Sequence, residues 1–426
     1  MAHPSLRRKL IALGGLVAVG ALVASCAATS EPDTPSEQSA GIPVGATKAE
    51  YQKAFADLDP IELVFQTGAG AGSALADRDR AYVDAVDEWS GGKVKIRLAF
   101  AGEIAPPAET IAAMQDGRID LTHALPQYYP EDFPVYNEWL NSTVLSQTEY
   151  LVADLQTPIL GQELFNNTPQ LVDEFTENGF RALAFNPGFS GFWCTEPLTT
   201  ADDFRGKIVA VGTSVAAQFV TAIGASPTTL PFSEYYEGLQ RGVVNCVITG
   251  PETAQLVGLI EVAPYLTTWP TGVMVHSQSP FAISTMAWDR LPLVAQQLLF
   301  DRLDAYLSGA AAVNISAWED AADSLRAAGG KVSALDDELV DVGRELVDDA
   351  VLPAMRSSTL LDGETLYKTA TAAADRTNTE TRGFLGIGDD EVGFLEIGEW
   401  MDENDPDITA FIQEQLTGPL GGSRPE

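Results

Sequence analysis

The 426-residue chain carries 60 Asp and Glu against 25 Lys and Arg, a formal net charge of -35 at pH 7. Such a balance excludes nucleic acid as a partner, because phosphate binding depends on clustered Lys and Arg, and it argues against charge-driven adhesion to anionic lipid. The length allows two or three domains' worth of core. The acidity by itself reads as solubility and does not make a ligand cationic.

At the N-terminus, Arg7, Arg8 and Lys9 precede an apolar run from Leu10 to Ala24, the charged and apolar regions of an export signal. The run closes on Leu22-Val23-Ala24-Ser25-Cys26, which resembles a bacterial lipobox in which Cys26 becomes the acylated first residue. Residues 1–26 are then a lipoprotein signal peptide. The other reading is an ordinary signal peptide or an uncleaved anchor, although the run is short for a membrane span. Ala27 to Thr47 holds almost no large apolar residue and cannot bury enough surface to fold. Residues 27–59 therefore read as a disordered tether leading into the folded part, which is expected outside the cytoplasm.

Alternating strand and helix signals follow. Ile61–Gln66 is a short apolar strand ending in a glycine-rich turn, and Tyr82, Val86 and Trp89 recur at helical spacing in a segment starting near Asp77. Gly91-Gly92 stops that helix. Lys93 to Leu98 alternates strictly, Ile111 and Met114 mark another helix, and a strand is predicted near Leu121 to Leu125. The pattern restarts at Phe180–Phe185 and continues through Lys207–Val211, Ser226–Thr229, Val243–Ile248, Gly272–Val275 and Phe281–Ser284, with Thr213 and Ser233 as helix caps. Beyond Trp288 the chain reads as mostly helical. This alternation implies parallel β-α-β units. Past Thr379, Gly383–Gly388 recurs as Gly393–Gly398, read as a local hairpin or packing flap, and Gly418–Glu426 reads as frayed.

Isolated motifs give little chemistry. Gly68-Ala69-Gly70-Ala71-Gly72-Ser73 lacks dinucleotide-binding spacing; it is either a loop exposing backbone N–H groups to a ligand or a plain turn. Gly188-Phe189-Ser190-Gly191-Phe192 lacks the last glycine of a nucleophile elbow. His123 lies in an apolar strand and reads as a satisfied core histidine. No His or Cys cluster has metal-ligand spacing, so neither an enzyme, a metal nor a cofactor is expected.

The segment Thr200–Gly250, with its Asp202-Asp203-Phe204-Arg205-Gly206-Lys207 turn and Ser233-Glu234-Tyr235 step, resembles the solute-binding proteins of tripartite ATP-independent periplasmic (TRAP) transporters. Trp89–Val94, Asp116–Leu121 and Met286–Pro292 resemble further motifs of that family, in order. The resemblance implies an α/β, two-lobed periplasmic-binding-protein-like fold with an inter-lobe cleft and a helical C-terminal part. Lobe I would hold residues 60–181 plus 272–300; lobe II and lobe-spanning helices, 182–271 plus 301–378; a C-terminal extension, 379–426. It also implies a monomer that delivers a small organic solute to an ion-driven permease with a small and a large integral-membrane subunit. A sensor feeding a membrane receptor and a secreted hydrolase built on Ser190 are the alternatives.

Carried over by position, the ligand-binding residues would be Gln66, Gln127 and Tyr128 from the first lobe. From the second would come Asn186, Phe189, Trp193, Thr213, Glu234, Tyr235, Thr249 and Glu252, with Trp269 near the crossing back. The family usually grips a ligand carboxylate with an arginine on the strand after the turn. Here that position is Ala210, or Val209 with one residue deleted. Without Arg181 or Arg205 reaching in, a small dicarboxylate is poorly compensated; a neutral ligand is expected, or a cationic one if Glu234 or Glu252 faces the cleft. One branch of the family has cysteines at the positions of Cys194 and Cys246, so the resemblance implies a disulfide there, the alternative being two separately buried thiols.

Overall fold

The computed structural model describes residues 41–426 except 187–189, 275, 277 and 419. The signal peptide, the lipobox at Cys26, most of the tether and Phe189 lie outside the described residues. Its strands are β1 (Ile61–Gln66), β2 (Val94–Ala99), β3 (Leu121–His123), β4 (Phe180–Phe185), β5 (Gly191–Cys194), β6 (Ile208–Ala210), β7 (Ser226–Thr228), β8 (Cys246–Thr249), β9 (Tyr265–Thr268), β10 (Pro280–Ser284) and β11 (Lys331–Ala334).

They form two mixed sheets, ordered β2-β1-β3-β10-β4 and β11-β9-β5-β8-β6-β7. In the first, β1 pairs in parallel with β2 and β3, as the β-α-β alternation requires, and β10 enters antiparallel between β3 and β4. The second repeats the device: β6 is parallel to β7 and β8, whereas β5 runs antiparallel to β8 and β9. Each sheet is the centre of one lobe. Because β4 pairs with β10 from Phe180 to Phe185 with one bulge, the first crossing follows Phe185, and the lobe boundary drawn between 181 and 182 moves accordingly. Residues 271–274 form a turn in which Gly272 has φ +82°, not the start of a strand. Ser233 sits inside a short 3-10 turn and caps nothing, whereas Thr213 accepts the Ala216 N–H at 3.1 Å.

The largest apolar cluster spans both sheets: Phe65, Leu121 and Phe281 from the first join Trp193, Val247 and Leu266 from the second. The Leu303–Ala328 helix knits them, burying Tyr306, Ile315 and Trp318 on that cluster. Separate clusters cover the outer faces, around Trp139, Phe175 and Phe180 on the first sheet and Phe192, Phe219 and Trp269 on the second. A disulfide joins Cys194 of β5 to Cys246 of β8, directly opposite each other in register.

Both ends of the described chain depart from expectation. The stretch assigned to the tether is folded from Ile42: a capping box of Thr47 and Glu50 starts the Lys48–Phe55 helix, whose Tyr51 and Phe55 are fully buried. At the other end, the Gly363–Leu385 helix runs straight through position 379, and the repeated glycine motifs make no hairpin. The first copy closes that helix, which ends at Gly386 (φ +69°), a conformation glycine adopts without penalty. The second leads into the Ile397–Asn404 helix. The last residues are held down, since Leu420 is fully buried and Arg424 pairs with Asp301 at 2.7 Å. Among the described residues, no helix is long and apolar enough to cross a membrane.

Candidate functional site

A cavity of about 250 Å³ opens between the two sheets, at the ends of β1, β3 and β8 where connecting loops converge. Of the residues expected at a ligand site, Gln66, Gln127, Tyr128, Asn186, Tyr235, Thr249 and Glu252 line it together. Val313 and Asn314, from the helix that knits the lobes, contribute to the same wall.

Several of these side chains hold the frame. Gln66, 2% exposed, accepts the N–H groups of Ile104 and Ala105 at 2.7 and 2.9 Å and donates to the Ala105 carbonyl at 2.8 Å. Its amide thus fastens the loop after β2 to the end of β1. The Tyr128 hydroxyl accepts the Phe232 N–H at 3.2 Å, a hydrogen bond from one lobe to the other across the cavity mouth. Asn186 donates to the Ser279 carbonyl at 2.9 Å and accepts from the Tyr306 hydroxyl at 2.6 Å.

Five expected residues do not line the cavity. Trp193 is fully buried in the main core, its indole N–H donating to the Thr249 carbonyl at 3.1 Å. Ala210 is fully buried on β6 between β7 and β8. Trp269 packs edge-on against Phe192 at 5.3 Å in the outer core. Thr213 is occupied as a helix cap, although neighbouring Gly212 does reach the cavity. Glu234 is exposed at the end of its turn. In each large aromatic the apolar surface decides the outcome, since burial stabilises it by about 1.5–3 kcal/mol.

The cavity's cation was not legible in the sequence. Arg78 is the single Lys or Arg among the described lining residues, and it comes from the charged run Asp77-Arg78-Asp79-Arg80 at the start of a helix. The Leu303–Ala328 helix covers it; a Cβ on Gly309 would stand 3.0 Å from Arg78 Cα, so the close approach uses the missing side chain. Arg78 Nε donates to Asp79 Oδ1 at 3.0 Å, Nη1 donates to Asn186 Oδ1 at 3.2 Å, and Nη2 lies 3.0 Å from His123 Nε2. Burial opposes the Arg78 charge, but Asp79, together with Tyr306 and Glu252, more than offsets it and the guanidinium stays firmly protonated. Burial likewise opposes the Asp79 charge, yet Arg78 and His123 hold its carboxyl below the usual range. His123 is not a plain core histidine: burial, then the Arg78 charge, depress its pKa. Its Nε2 also lies 3.2 Å from Asp79 Oδ1, and its Nδ1 lies 3.2 Å from the Tyr306 hydroxyl. Arg181 instead lies over the Trp288 ring and Arg205 pairs with Asp202 in solvent.

The cavity is also lined by a carboxylate. Glu252 follows β8, and its carboxylate folds over Gly250, where any Cβ would collide with Oε2. Thr253 Oγ1 lies 3.3 Å from Glu252 Oε1, and no Lys or Arg among the described residues pairs with it. Burial pushes its pKa up. Behind Asn314, Asp154 is fully enclosed, accepting from Asn314 Nδ2 at 3.1 Å and Trp318 Nε1 at 2.8 Å. Burial raises it to about 7, against those two hydrogen bonds, and Glu252 adds repulsion. Among the described residues, no group of three or more His, Cys, Asp or Glu could hold a metal ion.

Two α/β lobes with a ligand-sized cavity between them define the class of two-lobed periplasmic binding proteins. The model of the bacterial extracellular solute-binding protein family 7 (DctP) matches residues 72–351, and the chain belongs to that family. It is thus a TRAP-type periplasmic solute-binding protein for small organic ligands, a class that works with membrane permease subunits. Among its relatives, the C4-dicarboxylate-binding protein DctP of Rhodobacter capsulatus is 24% identical over 262 residues, 59% of this chain and 74% of that protein. The ectoine-binding protein TeaA of Halomonas elongata is 29% identical over 179 residues, 40% of this chain and 50% of that one. The fold matches a crystal structure of a TRAP solute-binding protein from Bordetella bronchiseptica with bound mandelate (TM-score 0.62, 24% identity, 74% of this chain and 99% of that chain).

Proposed function

We propose that the protein is an extracytoplasmic lipoprotein, acylated at Cys26, that captures a small organic solute other than a simple dicarboxylate for a TRAP-type secondary importer. The lipobox supports the anchor, and the absence of an arginine at Ala210 supports the exclusion. The observation that carries the ligand reading is the charge inventory of the cavity. The one guanidinium among its described lining residues is already paired with Asp79, and Glu252 lines the same cavity with no salt-bridge partner. A dianion would enter a site whose charges sum to zero or less, with a single guanidinium to meet two carboxylates.

Capture would proceed by closure of the lobes over the solute, with the closed form favoured by its extra contacts. Tyr128 and Phe232 supply one such contact between lobes. Calorimetry on the purified protein should show no heat of binding for succinate or malate at millimolar concentration. Tight binding of either would overturn the exclusion.

A further inference from the structure

Resting on this solute-binding reading, we infer that the ligand is a small zwitterion, with its cationic nitrogen set against Glu252 and its carboxylate against Arg78. Three observations converge on it. Arg78 and Glu252 line the same cavity, close enough for each to shift the other's ionisation. The guanidinium is fixed through Asp79, Asn186 and His123, and it lies over the Tyr306 ring at 5.4 Å. Those contacts leave at least two of its five N–H groups for an incoming acceptor.

The acidic end has the opposite deficit. Glu252 has only the Thr253 hydroxyl as a side-chain partner, and Asp154 behind it has only Asn314 and Trp318. Neither carboxyl pairs with a cation among the described residues. A partly desolvated carboxylate in that position is best satisfied by a nitrogen cation. A ligand bearing only the cation would leave Arg78's spare donors unmet, and one bearing only the carboxylate would leave Glu252 as it is. Leu75, Leu125, Phe232 and Ile248 line the walls, so the body joining the two charges is compact and largely apolar.

Such a ligand also makes a distinctive prediction. A cation arriving beside Glu252 favours ionisation of the carboxyls at that end, so binding near neutral pH should release protons. The test is a thermal-shift screen of the full-length protein, with hits taken to calorimetry. Its probes are zwitterions (pipecolate, proline betaine, 4-aminobutyrate), carboxylates without nitrogen (cyclohexanecarboxylate, succinate) and an amine without carboxylate (piperidine).

Zwitterions should stabilise the protein, and their binding heat should vary with the ionisation enthalpy of the buffer. Glu252→Gln should weaken the best of them roughly tenfold or more, and Arg78→Lys likewise; Glu252→Asp, which keeps the charge, should lose less. Hits confined to nitrogen-free carboxylates, unaffected by Glu252→Gln, would overturn the zwitterion while leaving solute binding intact. Hits confined to piperidine, unaffected by Arg78→Lys, would do the same. Stabilisation by none of the probes would overturn the assignment and count against the binding reading as well.

Discussion

Asp154 is the residue whose chemistry is most at odds with its surroundings. Its carboxyl is fully enclosed and its pKa is raised to about 7 by burial. The unfolded chain therefore loses this proton at lower pH than the folded one. Its contribution to stability is fully present below the ordinary carboxylate pKa and is lost as pH rises toward 7. His276 works in the other direction: burial lowers its pKa to about 4, so its contribution is lost as pH falls from about 6.5 toward that value. Asp154→Asn isolates the first effect. Its amide can still accept from Trp318 and donate to a flipped Asn314. The variant should be more stable than the wild type at pH 8, by on the order of 2 kcal/mol, and the gain should shrink at pH 5. Urea unfolding at the two values measures it. About half of the residues expected from the sequence line the cavity. Gln127 and Tyr128 lie in the turn after β3 and Thr249 ends β8, and the family resemblance carried all three to the cleft. Arg78 was hidden because nothing local says that one arginine in Asp77-Arg78-Asp79-Arg80 will be covered by a helix more than two hundred residues away.

Among the elements, the longer apolar strands announced themselves, antiparallel Phe180–Phe185 and Pro280–Ser284 included, because apolar runs separated by helical periodicity have few other ways to pack. Three short ones did not. Gly191–Cys194 and Tyr265–Thr268 are four-residue pieces, too short to show alternation, and Lys331–Ala334 is an edge strand of mixed polarity whose place depends on β9, with which it pairs in parallel. The tail helices were masked by their glycines, which serve as caps and turns and not as breakers of a hairpin. The disulfide between β5 and β8 makes an element-scale prediction. With a sequence separation of 52, the loop-closure relation gives roughly 4 kcal/mol of stabilisation, and measured cases centre on about 2–4 kcal/mol. Replacing both cysteines by serine should lower the urea midpoint accordingly, and a non-reduced digest of the wild type should yield a linked Cys194–Cys246 peptide. An unchanged midpoint would mean that the bond does not constrain the unfolded chain.

For the whole molecule, the C-terminal helices are structural and not appended. Phe394 packs against Trp318 and Tyr150 at 5.2 and 5.4 Å, and Phe384 stacks on Phe411 at 4.6 Å. Ile397, Ile412 and Leu420 are buried in the main core. At about 1.5–3 kcal/mol for each large apolar side chain, their loss rivals the roughly 5–15 kcal/mol that separates a folded domain from its unfolded state. Truncation after Leu385 should therefore give aggregated or unfolded protein, read by size-exclusion chromatography and far-UV circular dichroism. A soluble, cooperatively melting fragment would show the tail to be dispensable.

Gln297 deserves a mechanical reading. Its side-chain oxygen takes the Ile42 N–H at 2.7 Å while its amide holds the Pro425 carbonyl at 2.9 Å, and nearby Asp301 binds both Tyr51 and Arg424. The two ends of the folded chain are thus riveted at one place, on the Leu293–Asp301 helix beside the first sheet. Any pull on either end of the folded chain therefore enters the body through the same helix and the same two side chains.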